Sequence, residues 1–381
     1  MWAAKFVVHH AGECWSLFLA HAFTRAARNP PASPSPSLLA NSLLMECRQR
    51  LLKPPRALAW LALLTAAVTL ALRSAFSPAP LPLATCHLVS PLLVGPSPVN
   101  LSSSPPSLKE IRKRSAAVSP GGLYRPPDCN ARHHAAIVVP YRKRPTHLRA
   151  LLDHLHPLLQ RQQIHYRIYV VEQSGSGTFN KGKLLNAGVR EVVRDEDWSC
   201  LIIHDVDLLA ENDLNTYACD ACNPRHLAVA IDKFEYRLPY PQYFGGVVAV
   251  TPDQYRKMNG FSNQYWGWGR EDDDLWKSRV ALSGMKVVRP PVAIGRYKMI
   301  KHQRDRGNEE NPYNFEVLNR TELTWHSDGL NSVTYELLSK ERAAFYTHLI
   351  ISVGENPRPR LQEETATVRA AVALKKRHLK N

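Results

Sequence analysis

The feature that most constrains the fold is a regular alternation of apolar runs and helical patterns between residues 135 and 204. The runs at 135–139 and 168–171, and the one that ends just before Asp205, have the length and composition of buried strands. Between them, 146–162 carries leucines at helical spacing, and 183–194 is predicted as a second helix. This order predicts an α/β domain with a parallel, nucleotide-binding sheet.

A second feature is the segment 265–274, Tyr-Trp-Gly-Trp-Gly-Arg-Glu-Asp-Asp-Asp. Its four carboxylates begin at Glu271 and end at Asp274. Neighbouring carboxylates push one another's pKa values apart and can leave one able to act as a base. Aromatic faces beside carboxylates are typical of a sugar-binding site. A solvated helix N-terminus is the alternative, but it explains the acids and leaves the tryptophans and glycines unexplained.

Two further signals suit a metal site. Asp205 and Asp207 follow a predicted strand, and ligands of open α/β sheets bind at the carboxyl ends of strands. Carboxylates there suit a divalent cation that bridges to a nucleotide diphosphate. Met299 and His302 lie three residues apart; histidine is a common ligand for such ions and methionine a rare one. Alone, this pair favours a core methionine and a surface histidine.

The ordered motifs together resemble one family over residues 84–354. They are 140–144 (Pro-Tyr-Arg-Lys-Arg), 179–181 (Phe-Asn-Lys), 205–207 (Asp-Val-Asp), 240–246 (Tyr-Pro-Gln-Tyr-Phe-Gly-Gly), 265–274, 299–302 (Met-Ile-Lys-His) and 327–332 (Ser-Asp-Gly-Leu-Asn-Ser). The chain resembles the β-1,4-galactosyltransferases of animal Golgi membranes, and among them the members that extend N-acetylglucosamine. The resemblance implies the GT-A glycosyltransferase fold, UDP-galactose as donor, a glycan ending in N-acetylglucosamine as acceptor, and Mn²⁺ as cofactor.

The resemblance also implies a role for each motif residue. Asp272 is the general base that takes the proton of the acceptor 4-hydroxyl, so that one displacement inverts the anomeric carbon. The implied manganese ligands are Asp207, Met299 and His302. Donor contacts are implied for Pro140, Tyr141, Arg142, Lys143, Arg144, Phe179, Asn180, Lys181, Val206, Asp207, Lys233, Tyr243 and Trp268. Acceptor contacts are implied for Tyr240, Gly246, Gly269, Arg270, Glu271, Asp272, Asp273, Asn314, Phe315 and Leu318, with Phe315 and Leu318 around the N-acetyl methyl group.

Three residues depart from the family pattern. Lys181 stands where arginine is expected, which keeps the charge but loses a bidentate fork. Arg270 stands where the N-acetylglucosamine-directed members have glycine and the xylose-directed member has arginine. Asn314 stands where arginine is common. Galactosyl transfer to the xylose of proteoglycan linkers therefore stays open as an alternative.

Two other classes of function stay open as well. A two-metal phosphohydrolase would use Asp205, Asp207 and the acidic segment, and would hydrolyse its substrate without an acceptor. An inactive lumenal sugar-binding protein would keep the fold without turnover. Release of UDP, measured with and without N-acetylglucosamine and manganese, separates the three classes.

The net charge of +16 belongs to the ends of the chain rather than to the predicted domain. Residues 1–115 carry an excess of +9 and residues 355–381 an excess of +4. A nucleic-acid enzyme would be expected to concentrate basic residues on its folded domain. We therefore do not expect a nucleic-acid partner.

The N-terminal part predicts a single-pass type II Golgi membrane protein with a lumenal catalytic domain. Residues 57–72 are apolar and uncharged, and the basic residues before them favour a cytosolic tail over 1–56. A cleaved signal peptide is the alternative. Within the tail, 1–44 has the character of a dispensable extension, because Met45 could start the chain. A Pro/Ser-rich stem (73–125), a catalytic domain (126–354) and a basic tail (355–381) follow.

Cysteines and sequons fit a lumenal domain. The resemblance implies the disulfides Cys86–Cys129 and Cys200–Cys219, while Cys222 could compete for Cys200. Glycosylation sequons begin at Asn100 and Asn319. The oligomeric state and the class of glycan stay open, with a homodimer as one expectation.

Overall fold

The computed structural model describes residues 56–75, 82–97, 99, 101, 104–302, 307–311 and 313–357. The chain divides into two compact units, Met1–Leu81 and Pro82–Asn381. In the first unit the described part is helix α1 (Arg56–Ala75), which contains the predicted span 57–72. Within these ranges, none of the helices combines the length and the apolar character needed to cross a membrane. The extension 1–44, the rest of the tail to residue 55, the sequon at Asn100 and residues 358–381 lie outside the described part.

The second unit starts well before the predicted domain boundary at residue 126. Helix α2 (Leu108–Arg114) is capped by Ser107, and Glu110 completes the reciprocal capping box. Ile111 and Val118 are buried in the core. Apolar side chains from the C-terminal part of the predicted stem (73–125) thus join the core of the domain.

A mixed eight-stranded sheet forms the body of this unit, and its parallel centre is the predicted one. Strands β2 (His134–Tyr141), β3 (His165–Gln173) and β4 (Cys200–His204) are parallel and are linked by α3 (Pro145–Arg161) and α4 (Lys181–Val192). The other strands are β1 (Leu123–Tyr124), β6 (Arg225–His226), β8 (Val247–Val250), β10 (Glu336–Arg342) and β11 (Thr347–Ser352). The order is β10-β11-β3-β2-β4-β8-β6, with β1 beside β3. The three predicted strands and both helices are confirmed, whereas the antiparallel strands β1, β6, β8 and β10 were not predicted.

Hydrophobic clusters cover both faces of the sheet. Successive side chains of a strand point to opposite faces, so Ile137 of β2 joins the cluster under α3 and Val138 the cluster under α4. The predicted leucine stripe of α3 is buried: Leu148, Leu151, Leu152, Leu155, Leu158 and Leu159. Full burial of each such side chain stabilises the folded state by about 1.5–3 kcal/mol relative to leaving it exposed. Burial on both faces explains why the central strands are almost continuously apolar.

A small second sheet connects two of the predicted metal-binding motifs. It contains β5 (Leu208–Ala210), β7 (Ala230–Ile231) and β9 (Arg296–Met299) in the order β5-β9-β7. Strand β5 starts directly after Asp207, and its pairing with β9 places Leu208 opposite Met299. The antiparallel register thus brings together two segments about 90 residues apart in the chain.

The remaining elements surround the sheet. They are the helices α5 (Pro252–Lys257), α6 (Glu271–Asp274) and α7 (Asn314–Thr324), a π-helical turn (Leu275–Val280) and two 3₁₀ turns (Asp232–Phe234 and Leu330–Ser332). Both implied disulfides, Cys86–Cys129 and Cys200–Cys219, are present. Cys222 is an exposed thiol outside these bonds.

Candidate active site

Five of the seven predicted motifs meet at a cleft outside the carboxyl ends of β2 and β4; 240–246 and 327–332 are not in its lining. The cleft has a volume of about 200 Å³. Its lining is Pro140, Arg142, Arg144, Phe179, Lys181, Asp205, Val206, Asp207, Lys233, Gly267, Trp268, Glu271, Met299, His302 and Asn308. The sequence predicted all of these as site residues except Gly267 and Asn308, with Asp205 predicted as part of the D-x-D pair. The fold therefore gathers segments that lie up to about 170 residues apart into one concave surface.

The three predicted metal ligands border the same part of this cleft. His302 Nε2 lies 3.0 Å from Asp207 Oδ2, and the Arg144 guanidinium lies 3.0 Å from His302 Nδ1. Burial acts to raise the pKa of Asp207, but the hydrogen bond and charge of His302 lower it below its ordinary value. In the described part of the chain, no three His, Cys, Asp or Glu side chains form a metal-binding group. The predicted set contains only two such residues, because its third member is Met299.

Lys181 opens helix α4 and lies among three carboxylates. Its Nζ is 3.2 Å from Asp205 Oδ1, 3.2 Å from both oxygens of Asp272 and 3.6 Å from Glu271 Oε1. Burial acts to lower the pKa of the ammonium group, but the carboxylates raise the pKa of Lys181 well above its ordinary value. A permanent positive charge therefore lies at the centre of the acidic cluster.

The acidic segment forms a helical turn, α6, that continues into the π-helical turn. Its four carboxylates contact three side chains: Lys181 pairs with both Glu271 and Asp272, Tyr240 with Asp273, and Arg279 with Asp274. Burial, followed by the charges of neighbouring carboxylates, raises the pKa of Asp272 above its ordinary value, against the opposing charge of Lys181. Asp272 contacts the cleft-lining Lys181, and an acid with a raised pKa beside a cleft is a candidate general base.

Trp268 lies on a loop that hydrogen bonds to two other parts of the site. Gly267 N–H donates to Phe179 O at 2.7 Å, and Trp268 N–H donates to Glu309 O at 2.9 Å. Gly267 has φ +81°, and a Cβ there would lie 2.5 Å from Glu309 O, so only glycine fits. The indole is 53% exposed. The loop thus presents a flat aromatic face at the mouth of the cleft.

The segment 240–246 forms the wall next to Asp272. The Tyr243 ring contacts Phe234 and Tyr240 edge-on, with centroids 5.7 Å apart in each pair. A Cβ at Gly245 would lie 2.7 Å from Asp272 Oδ2 and 3.0 Å from the Tyr243 hydroxyl. Glycine at this position therefore lets the backbone approach the carboxylate closely.

Several predicted donor residues also have structural roles. Pro140, Tyr141 and Val206 are buried. Asn180 is fully buried; its side chain accepts from Lys183 N–H at 2.8 Å and so caps α4. The side chain of Asn180 is thus already committed to the fold. Arg142 lies over the Phe179 ring, 4.8 Å from its centroid.

The predicted acceptor residues lie around Trp268 and α7, but they differ in exposure. Phe315 is 53% exposed, and Arg270 lies over its ring at 5.2 Å. Leu318 is half-buried one turn further along α7. Asn314 is 2% exposed and donates to Gly269 O at 2.9 Å, so its amide holds the tryptophan loop. Gly246 is buried against Leu208 and Ala228, where its carbonyl accepts from Asp205 N–H.

Sequence reasoning missed an adjoining cleft of about 830 Å³. Arg142 and Lys143 were predicted, but the rest of its lining was not: Gly175, Ser176, Gly177, Thr178, Gly307 and Glu309. A signal existed, because the Ser-Gly-Ser-Gly sequence at 174–177 directly follows the carboxyl end of β3. Arg289 was also missed: its guanidinium donates to the carbonyls of Pro241 (2.8 Å) and Tyr243 (2.9 Å).

Two family models match the chain in succession. One describes the N-terminal region of glycosyl transferase group 7 and covers residues 86–220. The other describes the N-terminal domain of galactosyltransferase and covers residues 225–303.

Among solved structures, the catalytic domain of Drosophila β1,4-galactosyltransferase 7 with xylobiose aligns with a TM-score of 0.52 and 28% identity, over 60% of this chain and 97% of that one. A mutant of that enzyme with manganese, UDP-Gal and xylobiose aligns equally well. The α/β glycosyltransferase fold is therefore shared.

Curated relatives give the same result at higher identity. Human β-1,4-galactosyltransferase 3 is 60% identical over 282 residues, which cover 74% of this chain and 71% of the human one. The bovine β-1,4-galactosyltransferase 1 is 47% identical over 272 residues, covering 71% and 67%. At this identity, over about 70% of each relative's length, the chain belongs to the β-1,4-galactosyltransferase family and is a galactosyltransferase.

Proposed function

We propose that this protein transfers galactose from UDP-galactose to the 4-hydroxyl of terminal β-linked N-acetylglucosamine, with inversion at the anomeric carbon. The observation that carries the proposal is the meeting of Asp207, Met299 and His302 with the acidic segment in one cleft. A divalent-ion donor set and a base candidate are the two components that inverting sugar transfer from a nucleotide requires.

Asp207, Met299 and His302 would hold a manganese ion. A carboxylate, an imidazole and a thioether lining one cleft fit such an ion, and Arg144 fixes the imidazole through its Nδ1. When bound, the ion supplies positive charge for the diphosphate leaving group. Arg142, Arg144 and Lys233 add further positive charge along the same wall.

Asp272 would act on the acceptor. Its carboxylate takes the proton of the 4-hydroxyl while that oxygen forms a bond to the anomeric carbon. The bond from this carbon to the phosphate oxygen breaks, and UDP leaves with the electron pair. The raised pKa of Asp272 strengthens it as a base. Trp268 would cover the acceptor ring, and Phe315 with Leu318 would receive its N-acetyl methyl group.

Transfer to xylose is the second candidate, and Arg270 is the observation that favours it. The guanidinium lies on the Phe315 ring and so narrows the surface assigned to an N-acetyl group. A solved relative with 28% identity was crystallised with xylobiose. The two candidates differ in the acceptor and share the donor, the metal and the base.

We further propose a lumenal, Golgi-membrane location with segment 57–72 as the anchor. The disulfides Cys86–Cys129 and Cys200–Cys219 support an oxidising compartment. The exposed Asn319 on α7 is accessible for glycosylation. Protease protection of the domain in intact microsomes, and a mobility change on removal of N-glycans, would test this location.

The experiment that tests the function is release of UDP by the full-length chain in detergent. We expect release from UDP-galactose that requires both manganese and an N-acetylglucosamine-terminated acceptor, and a β-1,4-linked product by NMR. A preference for xylosides would move the acceptor to the second candidate. Release without any acceptor, at the same rate, would replace transfer with hydrolysis.

A further inference from the structure

Lys181 is both a departure from the family pattern and the cation that contacts the carboxylate of Asp272. Its Nζ lies 3.2 Å from both oxygens of Asp272, with Asp205 and Glu271 as further partners at 3.2 and 3.6 Å. An ammonium group carries three N–H donors on one point charge, which matches three carboxylates around it. The planar fork of an arginine suits a single carboxylate or phosphate instead.

The other groups that face Asp272 do not replace this contact. From other elements they are Asp205 at the end of β4 and the phenols of Tyr240 and Tyr243; from its own segment they are Arg270, Glu271 and Asp273. The carboxylates disfavour a further negative charge on Asp272, and the phenols are neutral. The Arg270 guanidinium lies over Phe315 and pairs with Asp273 at 4.0 Å.

We propose that Lys181 is a positioning residue that favours the carboxylate form of Asp272 and fixes this side chain beside the cleft, so that proton transfer from the acceptor depends on both residues. This inference rests on the proposed function, in which Asp272 receives the proton of the 4-hydroxyl. Lys181 keeps its own protons throughout, and no other bond changes. Its positive charge thus acts on the base, Asp272, as well as on the diphosphate of the donor.

The expected consequence is a change in pH dependence. An opposite charge within about 4–6 Å lowers a carboxyl pKa by about 1–3 units. Removing the Lys181 charge should therefore raise the pKa of Asp272 by about the same amount. Protonated Asp272 cannot accept a proton, so activity is lost as the pH falls through this pKa. A higher pKa moves that acidic limb to higher pH.

The first test compares pH profiles of kcat/KM for the acceptor at saturating UDP-galactose and manganese. Lys181→Met should move the acidic limb upward by about 1–3 pH units, with activity partly recovered at alkaline pH. Lys181→Arg keeps the charge and should keep the limb in place. Lys183→Met is the matched control on the same helix, where the ammonium lies over Trp266 at 5.8 Å; its profile should match wild type. Lys181→Gln serves if the methionine variant does not fold.

A second test needs no turnover. Infrared difference spectra recorded during a pH titration report the absorption band of protonated carboxyl groups. The part of this band that is present in wild type and absent in Asp272→Asn is assigned to Asp272. This band should appear at higher pH in Lys181→Met than in wild type. If the band shifts in this way but the wild-type protein transfers no galactose, the proposed function fails. The effect of Lys181 on the protonation of Asp272 is then still supported.

Two results would overturn the inference. In the first, Lys181→Met raises only the KM for UDP-galactose and leaves the acidic limb and the infrared band in place. Lys181 would then act solely in binding the donor. An equal loss of activity at every pH, with unchanged UDP binding by calorimetry and an unmoved band, would limit it to a structural role.

Discussion

Asp274 and Arg279 form an ion pair from which solvent is fully excluded. Arg279 Nε lies 3.0 Å from Asp274 Oδ2, and both side chains have 0% exposure. The same guanidinium reaches Asp328 at 3.5 Å and the carbonyl of Asn259 at 3.3 Å. The pair thus ties the segment that carries Asp272 to the 327–332 loop, which gives that sequence motif a structural role.

Arg279→Met should destabilise the domain strongly, because it leaves the buried Asp274 carboxylate without its cation. Removing one partner of a buried ion pair typically lowers the free energy of unfolding by about 3–5 kcal/mol. Arg256→Met is the matched control, since Arg256 and Asp253 form an exposed pair with 65% and 85% of their side chains accessible. That change should cost at most about 1 kcal/mol. Thermal unfolding of both variants measures the difference, and equal shifts would contradict the structural role.

Asp272→Asn should lower turnover by about 10²–10⁴-fold, because the amide cannot accept a proton. Binding of UDP-galactose should persist. In wild type, kcat/KM should fall as the pH drops through the raised pKa of Asp272. The exposed Asp253, changed to asparagine, is the control and should keep wild-type rates. Full turnover in Asp272→Asn would transfer the role of base to Glu271 or Asp273.

His302→Ala should abolish most manganese-dependent transfer while the domain stays folded, because this side chain lies at the cleft surface. Loss of an outer-shell partner of a metal ligand costs about 10–100-fold in affinity, and loss of a ligand should cost at least as much. Manganese binding by calorimetry and a manganese titration of activity check this. His87→Ala, an exposed histidine outside the cleft lining, is the control. An unchanged manganese requirement in His302→Ala would remove His302 from the metal site.

Tyr243→Leu should raise transfer of N-acetylgalactosamine relative to galactose. The resemblance places this ring beside the C2 substituent of the donor sugar, and discrimination of such size differences is worth about 1–3 kcal/mol. Tyr243→Phe keeps the ring and should keep the preference for galactose. Ring contacts to Phe234 and Tyr240 also stabilise the loop, so thermal unfolding is measured alongside. An unchanged donor ratio on folded protein would contradict the selectivity role.

Local patterns in the sequence were sufficient for the central sheet. The apolar runs at 135–139 and 168–171 and the leucines of 146–162 follow strand and helix periods, and β2, β3 and α3 form there. The burial of Ile111 and Val118, which lie within the predicted stem, does not follow from such local patterns. Their burial depends on contacts with distant segments, which the composition of a Pro/Ser-rich stretch does not report.

The sequence by itself determined the chemistry available to this protein: the acidic segment, the D-x-D pair, and the methionine and histidine that follow them. Only the tertiary structure decided how these groups are used. Antiparallel pairing of β5 with β9 brought Met299 to Asp207. The fold also put Lys181, at the start of α4, among the carboxylates of Asp205 after β4 and of Glu271 and Asp272 on α6. Asp272 and Asp274 have the same carboxyl group but acquired different surroundings: Asp272 contacts Lys181 of the cleft lining, and Asp274 is sealed against Arg279. Such differences arise from burial and from partners far apart in the chain, since a carboxylate's pKa and role depend on its neighbours in space.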